Sequence, residues 1–516
     1  VTEPPPSPFE EQVPAPPAAA PVIIMGPRTA AVLVFASSAA VLVVEIAALR
    51  LLAPYLGLTL ETSTLVIGIA LAAIALGSWA GGRFADSVDP RRLIAPALGV
   101  SGVVVALSPA LVRMAAEWAP PLLILVASLA ILAPGALLSA VTPVVTKIRL
   151  SNLAETGTVV GKLSGVGTVG AIAGTVITGF VLISRLPVSA ILVGLGVLLV
   201  TGAAAVEWRT KGWVRSRAAA LVVALLIGAL ASTVAPGGCD AETKYHCAQV
   251  VADPDRDSGR ILMLDGLRHS YVDTADPTVL EFDYVRAIAA AVEATFPDRG
   301  PLAAYHIGGG GLTFPRYLAS VRPGTHSLVS EIDGGVVRLD RDEFGDLAGT
   351  GINIRVEDGR RGLERLDSGS RDLIVGDAFG GVSVPWHLTT MEALTEVRRV
   401  LTHRGLYVAN LIDHAELGFV RAEVATATEV FDHVAVLGEP ADLSADPTSA
   451  RGGNFVVVAA DRAIDLQAIM DALDAQAIGW TTVAGVEMHD WIGSTQVLTD
   501  DHAPVDQLLE PFGAGR

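Results

Sequence analysis

Four acidic residues and one run of glycines carry the chemistry this sequence can do. The glycines are Gly308, Gly309, Gly310 and Gly311, in LAAYHIGGGGLTF. The acids are Glu331 and Asp333 in VSEID, Asp358 in VEDG, and Asp377 in LIVGDAFGG. Glycines let the backbone approach a ligand closely, and a helix N-terminus behind them favours electron-rich groups. A carboxylate at the tip of the next strand, about 20 residues on, accepts both hydroxyls of a ribose. Glu331 and Asp333 stand at that spacing from Gly308, Gly309 and Gly310. Asp358 suits the amino group of an adenine, with Gly359 leaving room for the ring. Asp377 would face the reactive end of the ligand, where a carboxylate takes a proton from an attacking amine or holds an ammonium group. The competing reading is a series of tight turns that bind nothing, because Gly and Asp after strands are routine loop formers.

Strands must present these residues. Over 302–333 the pattern is strand, glycine turn, helix, strand, acid. Upstream, short β-type runs at 245–252, 260–264 and 270–273 are divided by turn residues, DPDRDSG among them. Leu280, Tyr284, Ile288 and Val292 then recur at helical spacing across 278–294. Downstream, strands are predicted at 352–356, 372–375, 406–411, 434–437 and 454–458, with a helix at 391–401. Alternating strands and helices imply a doubly wound, mainly parallel sheet, which binds ligands outside the carboxyl ends of its strands.

The remainder of the 516-residue chain is of another kind. With 51% hydrophobic and 17% charged residues, it is too apolar for an ordinary soluble enzyme. Residues 1–28 are rich in Pro and Ala and are expected to be a disordered tail. From 29 to 236 there are about seven apolar runs near bilayer length, centred near Val41, Ala72, Val104, Val126, Val176, Val193 and Leu225. Gly68, Gly77, Gly81, Gly170 and Gly174 lie within them and would let helices approach closely in lipid. Glu45, inside the first run, marks a functional site or pairs with Arg50. Loop charges (Arg83, Arg91 and Arg92; Lys147, Arg149 and Lys162; Arg209, Lys211, Arg215 and Arg217) put the even-numbered loops and the N-terminus in the cytoplasm. With seven spans the C-terminal half would emerge outside, in conflict with a cytosolic cofactor.

A net charge of -18, with most acids after about residue 240, excludes a basic nucleic-acid surface. Cys239 and Cys247 either form a disulfide, which implies an oxidising compartment, or are two unrelated thiols; no His or Cys stands nearby at zinc spacing.

The motifs HIGGGG, VSEID, VEDG and LIVGDAF, with LDGLRHSYVD and LEFDYVR before them and LTDDHAPVD near the end, share their order with a known family. The soluble half resembles the spermidine synthases (polyamine aminopropyltransferases), and the whole chain resembles their bacterial membrane-fused form. The resemblance covers roughly 244–437 by motif and the membrane half by architecture. It implies an all-α transmembrane helical domain followed by an α/β Rossmann-like, methyltransferase-type doubly wound domain with a small N-terminal β-hairpin subdomain. The divisions expected are 29–236 for the membrane domain, 237–295 for the β-strand subdomain and linking helix, and 296–516 for the synthase-like domain.

By that resemblance the chain moves an aminopropyl group from decarboxylated S-adenosylmethionine, its co-substrate, to putrescine or another amine, without a metal. Gly308, Gly309 and Gly310 would pass beneath the nucleoside, Glu331 would bind its ribose, and Asp358 and Gly359 would meet the adenine. Asp377 would be the proton acceptor, and Tyr284 would line the substrate tunnel. His269, beside Ser270 and Tyr271, could touch substrate, and Trp386 with His387 could gate the pocket. The expected partners are a small amine, the lipid bilayer and a second copy of the chain in a homodimer, with no nucleic acid.

Departures from the family pattern are equally specific. Gly311 stands where the family places the Asp that grips the donor's ammonium. Ala378, Phe379, Gly380 and Gly381 replace a segment that carries a second Asp, and Tyr284, Val285, Arg286 replace Tyr-His-Glu. Asp500 and Asp501 could supply the missing contacts from the C-terminal segment. Two alternatives therefore stand beside the first reading: a methyltransferase using ordinary S-adenosylmethionine, and a non-catalytic membrane transporter or sensor.

Overall fold

Helices α1 (Pro27–Leu56), α2 (Leu60–Ser87), α3 (Ile94–Trp118), α4 (Leu123–Ser139), α5 (Val141–Arg149), α6 (Thr156–Ile177) and α7 (Val188–Lys211) open the chain. The structure is a computed structural model that describes residues 25–56, 60–150, 156–211, 239–381, 383–444 and 451–509, with isolated positions between 226 and 235. Among the described residues, 6 helical stretches are long and apolar enough to cross a membrane, α4 and α5 forming one of them. They match the first six expected runs. The seventh, centred near Leu225, lies outside the described residues, as does most of the expected N-terminal tail.

Small residues bring these helices into contact. A side-chain carbon at Gly77 or Gly81 of α2 would stand 2.1 or 2.7 Å from backbone atoms of Ala136 and Ala140. At Gly170 and Gly174 of α6 it would stand 2.4 and 2.5 Å from the carbonyl oxygens of Phe35 and Ala39 in α1. Each pair is about one turn apart, the spacing that lets two helix backbones meet. Gly68 instead faces open space. Arg50 does not turn back toward Glu45; its guanidinium donates to the main-chain carbonyls of Thr243, at 3.3 Å, and Tyr245.

Beyond the bundle, β1 (Ala241–Glu242), β2 (Cys247–Ala252), β3 (Gly259–Leu264) and β4 (Leu267–Asp273) pair in that order as an antiparallel sheet. Cys239 and Cys247 are joined as a disulfide, their Cα atoms 5.3 Å apart, which ties the approach to β1 to the start of β2. Helix α8 (Asp283–Thr295) begins later than the apolar spacing suggests, because Asp276 draws the Thr278 amide and hydroxyl into a turn first. Its Tyr284, Val285, Ile288 and Val292 are buried against the main sheet, as the period of Leu280, Tyr284, Ile288 and Val292 requires.

The main sheet alternates with helices: β5 (Ala303–Ile307), α9 (Thr313–Val321), β6 (His326–Glu331), α10 (Gly334–Phe344), β7 (Ile352–Val356), α11 (Gly359–Glu364), β8 (Arg371–Gly376), α12 (Met391–Val400) and β9 (Leu401–His414). After α13 (Gly418–Val430) come β10 (His433–Gly438), β11 (Gly452–Ala460), α14 (Leu466–Ala475), β12 (Thr481–Ala484) and α15 (Gly485–Ile492). The strand order is β12-β10-β11-β9-β8-β5-β6-β7. Strands β5 to β9 pair in parallel, as expected, whereas β11 enters between β9 and β10 and pairs antiparallel to both. Strand β12, four residues long, carries too short a pattern to be read from sequence. Chain order reverses between β5 and β8, so the crevice at a switch point opens where Ile307 gives way to Gly308 and Gly376 to Asp377.

Candidate active site

At that switch point two strand ends almost touch. The Asp377 amide donates to the Ile307 carbonyl at 2.8 Å, and the Gly308 amide donates to the Ser330 carbonyl at 3.0 Å. Gly308 has φ +99°, and a side-chain carbon there would sit 2.1 Å from the Asp377 carbonyl oxygen. No other residue fits. The next amide, of Gly309, donates to Glu331 Oε2 at 2.8 Å, while Glu331 Oε1 accepts from the Asp333 amide at 2.8 Å. A carboxylate offers about four lone-pair directions, so each oxygen keeps one for a ligand hydroxyl. Burial pushes the Glu331 carboxyl above its ordinary range, against the two amides.

Asp377 is held by two side-chain donors. Its Oδ1 accepts from Asn410 Nδ2 at 3.0 Å, and Tyr284 Oη donates to its Oδ2 at 3.3 Å. Asn410 is itself oriented by Asn454, whose Nδ2 donates to its Oδ1 at 2.9 Å. Burial raises the Asp377 carboxyl to about 6, while the Asn410 and Tyr284 hydrogen bonds pull it back toward the charged form. That value suits a base working near neutrality. Asn410 and Asn454 were missed in the sequence, although a polar residue in the apolar strand 406–411 was the available signal. Asn410→Ala is expected to move the acid limb of the pH–rate profile upward, because it removes a donor that favours the ionised carboxylate. An unchanged or lowered limb would show that Asn410 does not tune Asp377.

Gly308, Gly309, Gly310, His269, Tyr284 and Asp377 line one hollow of about 40 Å³. This is room for a water or two and fits only the small end of a ligand. Burial, helped by nearby His246, holds the His269 imidazole down at about 4, so this wall is neutral. Ser270 Oγ is buried in the same wall without a hydrogen-bond partner among the described residues. It fills the space a side chain at position 311 would need: a Cβ on Gly311, where φ is +75°, would lie 2.1 Å from it. The Gly311 amide is taken up by Asp340 of α10, at 3.2 and 3.1 Å from its two oxygens. Burial lifts that carboxyl well above the carboxylate range.

Three of the expected contact residues have partners of their own in the protein. Asp333 is fully buried and caps α10 through the Gly335 amide at 2.8 Å, so its carboxylate faces protein rather than ligand. Asp358 caps α11 through the Arg361 amide at 3.0 Å, and its other oxygen is 2.8 Å from His387 Nε2, which holds the carboxyl below its ordinary value. Gly359 is required by packing: a Cβ there would be 2.4 Å from Ile307 Cγ2. Asp501 is exposed in a turn, and its neighbour Asp500 forms a two-pronged pair with Arg360 at 2.7 and 2.6 Å. Trp386 is half exposed beside His387. Among the described residues no three His, Cys, Asp or Glu side chains gather as a metal site.

Fold and site together define an α/β transferase domain of the methyltransferase type, joined to a bundle of membrane-length helices. No protein-family profile matches the chain. Over 252 residues, 46% of this chain and 79% of the other, it is 28% identical to a polyamine aminopropyltransferase of Vibrio vulnificus strain CMCP6. A probable spermidine synthase from Corynebacterium glutamicum ATCC 13032 is 30% identical, covering 51% of this chain and 97% of its own, with a TM-score of 0.47. Spermidine synthase from Thermotoga maritima is 17% identical over 44% of this chain and 72% of its own, with a TM-score of 0.32. The chain is thus similar, over its soluble half, to proteins named polyamine aminopropyltransferase and spermidine synthase.

Proposed function

We propose that this chain is a membrane-anchored aminopropyltransferase, taking its aminopropyl group from decarboxylated S-adenosylmethionine and passing it to a polyamine acceptor such as putrescine. The observation that carries this reading is Asp377, half-buried opposite the glycine turn and held by Tyr284 and Asn410. The acceptor nitrogen attacks the carbon bonded to the sulfonium. As the C–N bond forms, the C–S pair moves to sulfur and methylthioadenosine leaves, while the proton shed by nitrogen goes to Asp377. A sulfonium is a good leaving group, so alignment and one base account for the catalysis required. Glu331 holds the ribose, the glycine turn passes beneath the nucleoside, and Asp358 meets the adenine amino group.

One observation favours a second reading, in which the donor is ordinary S-adenosylmethionine. Ser270 occupies the space of a side chain at Gly311, so the donor's ammonium lacks the carboxylate the family uses there. Calorimetry of the full chain in detergent, with both donors and methylthioadenosine, separates the two. Tighter binding of the decarboxylated donor, with turnover on putrescine, is the expected result. Preference for the carboxylated donor would replace the first reading with the second, and failure to bind any adenosyl compound would end both.

The two ends of the bundle support an outward-facing site. Arg83, Arg91, Arg92, Lys147, Arg149 and Arg209 gather where α2, α5 and α7 finish, with Lys147 on Asp86 at 2.7 Å and Arg149 on the Met25 carbonyl at 2.9 Å. The soluble half docks at the other end, through Arg50, Arg113 and Val188. The chain leaves the basic end at Lys211 and is at the opposite end by Cys239, the change of side that an odd number of crossings makes. With basic loops on the cytoplasmic side, the soluble half faces away from the cytoplasm, where the disulfide is stable. A C-terminal tag is expected to be cut by protease added to intact cells. Protection of the tag until the membrane is broken would reverse the orientation.

A further inference from the structure

The soluble half is held to the bundle by its first strand, and the same strand reaches the nucleoside end of the site. The Glu242 carboxylate accepts from Arg113 Nη2 of α3 at 2.9 Å, from the Ser189 hydroxyl at 3.2 Å and from the Val188 amide. One residue on, the Arg50 guanidinium of α1 spans two carbonyls, those of Thr243 and Tyr245. A planar fork suits two acceptors at once, where an ammonium would be a single point of attachment. This closes the turn 243–246, within which the Thr243 hydroxyl also takes the amides of Tyr245 and His246, at 3.2 and 2.8 Å.

Thr243 passes the constraint inward. It is 8% exposed, its hydroxyl is bonded to Asp333 Oδ2, and a carbon on Gly335 would come within 2.5 Å of its side chain. Asp333 is 0% exposed, caps α10, and donates its own amide to Glu331 Oε1 at 2.8 Å. The contacts therefore run without a gap from a membrane helix, Arg50 to Thr243 to Asp333 to Glu331. Asp333, which the sequence offers as a ligand contact, serves this connection instead.

We propose that Arg50 is a positioning residue for the nucleoside site, so that the membrane bundle sets the orientation of Glu331 rather than only anchoring the domain. This rests on the reading of Glu331 as the ribose acid. Losing Arg50 frees two carbonyls, loosens the 243–246 turn and withdraws the Thr243 hydroxyl from Asp333. The cost falls on ligand binding, while Asp377, Tyr284 and Asn410 keep their own contacts.

The test is methylthioadenosine affinity of the full chain in lipid nanodiscs, with kcat measured at saturating donor. Arg50→Gln and Thr243→Val are each expected to weaken binding about fivefold to tenfold, the worth of one hydrogen bond. The double variant should be no weaker than the worse single one, because both cut the same connection. Thr243→Ser, which keeps the hydroxyl, should return to within about twofold of the unaltered chain, and kcat should stay within about twofold throughout. Unaltered affinity in Thr243→Val, additive losses in the double variant, or a fall in kcat matching the loss of affinity would each overturn the inference alone. No binding by the unaltered chain would remove the functional reading and this inference with it.

Discussion

Asp377→Asn is expected to lower turnover by about 10³-fold, within the range of roughly 10² to 10⁴ for a lost general base, and to leave methylthioadenosine binding within about twofold. The substitution keeps the side chain's shape beside Tyr284 and Asn410 but removes its capacity to take a proton. In the unaltered chain, kcat/KM should fall as pH drops through about 6, since burial raises the carboxyl to that value and the protonated acid cannot act as base. The stability sign runs the other way. A folded-state value above the unfolded one means that the carboxylate destabilises the fold at pH values above about 6 and ceases to do so as pH falls through it. Asp377→Asn is therefore expected to melt no lower than the unaltered chain at pH 8. Retention of turnover would remove Asp377 from the mechanism, and a large loss of Tm would show that its role is structural.

Glu331→Gln should have the opposite signature. A carboxylate that receives two ribose hydroxyls through charge-assisted hydrogen bonds contributes roughly 1.5–3 kcal/mol for each. The amide keeps part of this, so methylthioadenosine binding is expected to weaken about 10- to 100-fold, and Glu331→Ala should weaken it further. Chemistry at saturating donor should change far less, because an acid that holds the ribose stands away from the sulfur end. Burial also raises the Glu331 carboxyl, so affinity should decline on acidification at a higher pH than an ordinary glutamate would produce. Equal losses in kcat and in affinity would move Glu331 out of the ribose role. Comparison with Asp377→Asn divides the site into a binding acid and a reacting acid.

The family's missing carboxylates take on a physical form in the structure. Restoring an acid at Gly311 alone would collide with Ser270, and the position requires a positive φ besides. A carboxylate at position 311 therefore requires a change in β4 as well. Gly359 is constrained likewise, by Ile307 of β5.

Residues near each other in sequence were legible from sequence alone. Hydrophobic runs of bilayer length identified the first half, and alternation of apolar runs with glycine and acid placed Gly308, Glu331, Asp358 and Asp377 at successive strand ends of the second. Both signals are local, since helix and strand periods and turn chemistry are properties of a few consecutive residues. Partnerships across long separations were not legible. Asn410 reaches Asp377 from 33 positions away, Thr243 reaches Asp333 from 90, and Arg50 reaches Tyr245 from 195. No pattern in the chain ties those positions together. Only the closing of β8 against β9, and of β1 against the bundle and α10, decides which carboxylate meets Asn410, which the Gly309 amide and which caps a helix. A carboxylate's role depends on its burial and on the donors around it, and both are set by the packed fold rather than by the order of residues.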